Sequence, residues 1–279
     1  MEFPWGAVVF MLILAGGMFY GQAQFKRKGA QWGKLLTIIC GILIIITALW
    51  TNLCKSNFDA TAIEREKKYQ EAQCMVLANT LANIYNGNGK CLLIHHPFHE
   101  DKRSKTQRLI DTFEKGLSGK ISEIRAVPIK TARAEDQHRS EEVMIDIAAE
   151  DFNKVIDANS DCDLVITLVP LPFSEDQLYQ IDIFEMLPDE NDPSVYRRNP
   201  DRKYPLLGIY NGYVGNLEPL FYDGLIGAMS LWKPNPTIDE EPVPDSVQEA
   251  FNKRYIIITP QNIDSTKEKY PNLFPKPRK

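Results

Sequence analysis

Five short apolar runs, separated by amphipathic or polar stretches, constrain this chain more than any other feature. They are CLLIH at 91–95, ISEIRAVPI at 121–129, DCDLVITLVPLP from residue 161, LLGIY at 206–210 and RYIIIT at 254–259. CLLIH is short and continuously apolar, which suits a strand buried on both faces, as in a parallel sheet whose crossovers are helices. Pro128 cannot donate to a ladder, which puts the second run near a sheet edge.

The intervening segments supply the crossovers. EDKRSKTQRLIDTFEKGLSG places Leu109, Ile110, Phe113 and Leu117 on one side of a helix that closes at Gly116 or Gly119. TARAEDQHRSEE is polar and reads as a loop, and AAEDFNKVIDAN as a helix that starts as early as Glu141. In FSEDQLYQIDIFEML, Ser174 and Gln177 have capping-box spacing. NLEPLFYDGLIGAMSLW reads as a helix, as does a short stretch from Ser246 to Phe251. The proline-rich, charged segments 188–205 and 233–246 read as exposed excursions, and the end of the chain as irregular. Alternation of this kind predicts an α/β fold: a three-layer Rossmann-like domain over 90–260 with a mostly parallel five-stranded sheet, in flavodoxin-like order 2-1-3-4-5.

Ahead of this domain, Phe3 to Phe25 and Leu35 to Leu53 carry no charged side chain, and each is about one membrane span long. Residues 1–54 are therefore expected to be a two-helix transmembrane anchor, with Trp5, Trp32 and Trp50 at the headgroups. A signal peptide fits less well, because the first run lacks a basic start. Lys26, Arg27, Lys28 and Lys34 would hold the connecting loop in the cytoplasm and put the rest of the chain outside, in a multi-pass protein of the cell membrane; Lys55, Arg65, Lys67 and Lys68 argue the other way. Residues 55–89 read as a helical stalk whose Val76, Leu77, Leu81 and Ile84 dock on the domain, and 261–279 as an irregular basic tail.

With 32 basic against 37 acidic residues there is no broad cationic surface, so nucleic acid is not expected as a partner. The expected partners are the lipid bilayer, another membrane or envelope protein, and a small-molecule ligand. Of five cysteines none forms a C-x-x-C pair, which excludes a zinc ribbon or thioredoxin-like motif. Cys91 and Cys162 would begin neighbouring strands and are either a disulfide or buried free thiols.

The run AAEDFNKVIDANSDCDLVITLVPLP, with LLIHH before it and LLGIY and YIIIT after it, resembles one lobe of a type I periplasmic binding protein. The resemblance covers Lys90 to Pro260. That family closes two lobes on a ligand, and only one fits here, so no family binding residue is carried over.

In an open α/β sheet, ligands bind beyond the carboxyl ends of the strands. That rule gathers four loops: HHPFHED, VPLPFSED, YNGYVGN and TPQNID. The candidate ligand-binding residues are His95, His96, His99, Tyr210, Asn211, Tyr213 and Gln261. HHPFHED has no glycine, and Glu100 and Asp101 would repel an anion, so a phosphate cradle and nucleotide cofactors are not expected. His95 and His99 are the metal candidates, with Glu100 and Asp101 as further donors, but strand alternation turns His95 and His96 apart and no metal or other cofactor is predicted. Tyr210 and Tyr213 offer ring faces for stacking. No catalytic residue is assigned. The expected function is a membrane-anchored, extracytoplasmic binding or interaction domain that senses a small ligand; the alternatives are an envelope enzyme with a histidine-lined site and a structural partner in a membrane complex.

Overall fold

The computed structural model describes residues 5–85, 87–97, 103–129, 147–172, 175–184, 187–188, 196–197, 204–236, 238 and 241–274. The chain forms two compact units, Met1–Glu66 and Lys67–Lys279.

In the first unit, helix α1 (Trp5–Lys28) turns at Gly29, whose φ is +64°, into helix α2 (Gln31–Tyr85). The two helices approach through glycines. A Cβ on Gly21 would lie 2.7 Å from the Gly33 carbonyl, and Thr37 Oγ1 donates to the carbonyls of Gly33 (2.9 Å) and Met18 (3.3 Å). Both apolar runs are thus helical, but among the described residues no helix is long and apolar enough to cross a membrane. The expected two-span anchor is corrected accordingly, and with it the multi-pass membrane localisation and the orientation inferred from the basic loop.

In the second unit, the part of α2 up to Tyr85 is followed by β1 (Lys90–His95), α3 (Arg103–Leu117), β2 (Glu123–Pro128), α4 (Ala149–Asp157) and β3 (Leu164–Thr167). The short α5 (Glu175–Leu178) precedes β4 (Leu187–Pro188) and β5 (Tyr196–Arg197), which pair only with each other as an antiparallel sheet. Then come β6 (Leu206–Ile209), α6 (Glu218–Tyr222), β7 (Ile226–Trp232), α7 (Val247–Arg254), β8 (Tyr255–Ile258) and α8 (Ile263–Lys269). The main sheet is six-stranded, in the order β2-β1-β3-β6-β7-β8. Its first five strands run parallel, and β8 pairs antiparallel with β7.

The expected five-stranded sheet is therefore a six-stranded mixed one. LIGAMSLW, expected to continue a helix, contains β7 instead. Gly224, at φ +68°, ends α6, and every residue from Ile226 to Leu231 is buried on the sheet. Gly119, at φ +76°, follows the end of α3 as expected, whereas Gly116 serves packing: a Cβ there would lie 2.6 Å from Ala78 Cβ on α2. The polar loop 131–142 and Ser174 lie outside the described residues, as do 141–146, where α4 was expected to begin. Past β8 the chain forms α8 and a 3-10 turn at Pro271–Leu273, where an irregular tail was expected.

Alternation along the strands separates two layers. Leu92, Ile94 and Val165 face Phe152 and Ile156 of α4 and Leu220 and Phe221 of α6. Cys91, Leu93, Leu164 and Ile166 face Leu77, Ala78 and Leu81 of α2 and Ile110, Phe113 and Leu117 of α3. The docking end of the stalk is thus a layer of the domain. Cys91 and Cys162 are free buried thiols, so no disulfide joins these strands.

Candidate functional site

The strand order fixes where loops part. Helix α3, leaving β1, packs on one face of the sheet, and α4, leading into β3, packs on the other. The neighbours β1 and β3 are therefore the switch point of the sheet, the place beyond whose carboxyl ends open α/β sheets take their ligands. The registers Ile94↔Thr167, Thr167↔Ile209 and Ile209↔Met229 continue one step further to bring His95, Leu168, Tyr210 and Ser230 level on the face covered by α2 and α3.

His95 is 1% exposed, and its Nδ1 lies 2.6 Å from the His96 carbonyl oxygen. A carbonyl only accepts, so Nδ1 carries the proton. Tyr210 is buried and meets Phe113 edge-on, with ring centroids 6.3 Å apart, so its ring is occupied by the core. Tyr213 differs: it is 60% exposed and open to a ligand ring. Between them Asn211 has φ +54°, a left-handed conformation uncommon outside glycine. Gly212 fits only as glycine, since a Cβ there would lie 2.2 Å from Met229 Sδ. Its N–H donates to the Ser230 carbonyl (3.0 Å).

His99 lies outside the described residues. Among those residues, no group of three His, Cys, Asp or Glu side chains could hold a metal ion. Gln261 is not brought to this site. Because Ile258 pairs with Met229 and Tyr255 with Trp232, β8 runs against β7, and the TPQNID loop leaves at the amino edge of the parallel strands. The four expected loops are thus three at one end and one at the other.

The structure adds residues that sequence reasoning passed over. Gln73 of α2 is fully buried, and its Nε2 donates to Asn211 Oδ1 (2.9 Å) and Ser230 Oγ (3.1 Å). One turn earlier, the ring of Tyr69 lies under the guanidinium of Arg254, 3.6 Å from its centre. Gln70 and Glu71 hold Arg108 of α3, at 3.2 Å and 3.3 Å. The available signal was a polar residue on the apolar stripe of the stalk: Gln73 precedes Val76, Leu77 and Leu81 at helical spacing, and a polar side chain on a buried face needs a partner. Beneath, Cys74 is held in its thiol form: burial pushes its pKa up, and Arg108 offsets that only in part.

No protein-family model matches the sequence, and no curated protein does. Among solved structures, the chain is similar to a sugar-binding protein of a sugar ABC transporter from Bacillus halodurans. The identity is 12% and the TM-score 0.41, over 70% of this chain and 64% of that one. The chain thus spans less than two thirds of that protein's length, and a likeness this distant agrees with the weak resemblance to a periplasmic binding protein lobe without carrying an argument about the site.

Proposed function

We propose that the Lys67–Lys279 unit is a binding module that takes a small, neutral, ring-bearing ligand in the crevice beyond β1, β3 and β6. The observation that carries this reading is the switch point between β1 and β3, bordered on one side by the His95–His96 segment and on the other by the Tyr210–Tyr213 loop. Tyr213 is the residue best placed to stack on such a ligand, because its ring is exposed while that of Tyr210 is packed against Phe113. Binding is favoured over acid–base catalysis, since His95 is buried and turned into an internal hydrogen bond.

The test is the thermal shift of the full chain with panels of sugars, nucleosides and free amino acids. One class is expected to raise the Tm with saturation, by the stabilisation any native-state ligand confers. Tyr213→Ala is expected to abolish that shift while leaving the unliganded Tm in place, because an exposed side chain contributes little to stability. No shift with any of the three classes would overturn the reading.

A further inference from the structure

One turn of α2, Tyr69 to Gln73, touches four separate elements near the carboxyl end of the sheet. Tyr69 meets Arg254 at the end of α7, Gln70 and Glu71 meet Arg108 of α3, and Gln73 meets Asn211 and Ser230. Of these bonds, that from Gln73 to Asn211 reaches a loop residue in an unfavourable backbone conformation. Asparagine tolerates the left-handed region better than most residues but less freely than glycine, so its surroundings bias whether the loop keeps that form. Here the surroundings are two: the Gln73 amide on the Asn211 side chain, and the Gly212 N–H on the Ser230 carbonyl. The Gln73 amide cannot leave Asn211 without cost, because it is fully buried and its remaining described acceptor is Ser230 Oγ.

We infer that the Tyr69–Gln73 turn of α2 is a positioning device for the Tyr210–Tyr213 loop: docked, it holds Asn211 in the left-handed form, and displaced, it releases the loop. The device couples the docking of α2 to the shape of the crevice wall. Its consequence for ligand affinity rests on the binding reading above; the coupling itself does not. The coupling is reciprocal by necessity, so whatever alters the loop alters the docking of the turn.

Hydrogen exchange on the full chain without ligand tests this. Gln73→Leu keeps the buried volume and removes the amide. It is expected to speed exchange of the Gly212 amide at least tenfold while the amides of Leu164 to Thr167 in β3, which report global opening, keep their rates. Asn211→Gly tolerates the left-handed backbone and removes the acceptor, and is expected to speed exchange in α2 from Gln73 to Leu77. Ser230→Ala leaves the Gln73–Asn211 bond and the Ser230 carbonyl in place, and is expected to leave the loop protected. Loop rates unchanged in Gln73→Leu, α2 rates unchanged in Asn211→Gly, or a loop freed equally by Ser230→Ala would each overturn the coupling. If Gln73→Leu speeds β3 as much as the loop, the bond acts on global stability alone and the coupling is likewise overturned. A chain that binds none of the probe ligands but shows these rates keeps the coupling and loses the binding reading.

Discussion

The guanidinium carbon of Arg254 lies 3.6 Å from the centre of the Tyr69 ring, joining the end of α7 to α2 across a buried contact. A desolvated cation on an aromatic face contributes up to about 2 kcal/mol. The Tyr69 hydroxyl, by contrast, is buried with no hydrogen-bond partner among the described residues. Ring and hydroxyl therefore make opposite predictions. Tyr69→Leu is expected to destabilise the chain by about 2–4 kcal/mol, from the lost contact and the cavity left behind. Tyr69→Phe is expected to be neutral or mildly stabilising, since it deletes an unsatisfied polar group. Urea denaturation of the two variants checks the order, and a Phe variant as weak as the Leu variant would refute it.

Phe113 is fully buried on α3 and presents its edge to Tyr210. It is the side chain through which α3 supports the base of the Tyr210–Tyr213 loop. Phe113→Ala is expected to cost about 3–5 kcal/mol, as truncation of a core aromatic does. The loss would show as a lower midpoint in urea and as faster exchange of the Tyr210 amide, which donates to the Thr167 carbonyl (3.0 Å).

At Gly116 two effects oppose each other. Alanine gains about 1 kcal/mol of helix propensity over glycine. Its Cβ would lie 2.6 Å from Ala78 Cβ, a group with no rotamer to yield, so α3 must move off α2 at a cost of about 1–3 kcal/mol. Gly116→Ala is expected to destabilise on balance, and Gly119→Ala to do so by strain instead, as its φ is +76° and its surroundings are open. Pairing Gly116→Ala with Ala78→Gly in a double-mutant cycle should recover the packing loss, and the Gly119 variant should gain nothing from the second change.

How much of this was readable in the residues turns on one strand. The runs at 91–95, 121–129, 161–169 and 206–210 became β1, β2, β3 and β6, because continuous apolar runs bounded by polar turns have few other uses in an α/β chain. IGAMSLW is equally apolar but rich in helix formers, and periodicity cannot separate a buried strand from a buried helix at that length. Missing it had a consequence at the site. With β7 in place, β8 enters from the carboxyl edge and runs backwards, which carries Gln261 to the far end. The placing of His95, His96 and the Tyr210–Tyr213 loop at one end of the sheet was legible, because their strands were recognised. The loop's support by Gln73 and Ser230 was not, because it joins residues 157 positions apart in elements whose pairing no local pattern encodes.

At the amino edge of the sheet, Arg125 reaches both oxygens of Asp161 (2.6 and 2.9 Å) and Glu123 (2.6 Å), and Lys90 reaches Asp161 (2.6 Å). The hydrogen bonds from Arg125 and Lys90 hold the Asp161 carboxyl below its ordinary value, and Arg125 does the same for Glu123. With folded pKa values below the unfolded ones, these groups contribute stability that is fully present above the ordinary carboxylate range. It is lost as pH falls through the folded values. Acid should therefore weaken the wild type more steeply than Asp161→Asn, measured as the urea midpoint from neutral pH downward. Because the groups are exposed, high salt should shrink the difference between the two.

Burial pushes the thiols of Cys74 and Cys91 well above their ordinary pKa, and both side chains are closed to solvent. The thiolate is the species that alkylates, so burial suppresses reaction in the folded state twice, by disfavouring the thiolate and by closing off the reagent. Neither cysteine should take up iodoacetamide at neutral pH in native buffer, and both should be modified at once in denaturant. Peptide mass spectrometry reads each site separately. With Cys91 and Cys162 free, the unfolded chain should alkylate at both without added reductant. Labelling of Cys162 that requires reductant would show the two thiols joined, and rapid native labelling of Cys74 would show α2 undocking from the sheet.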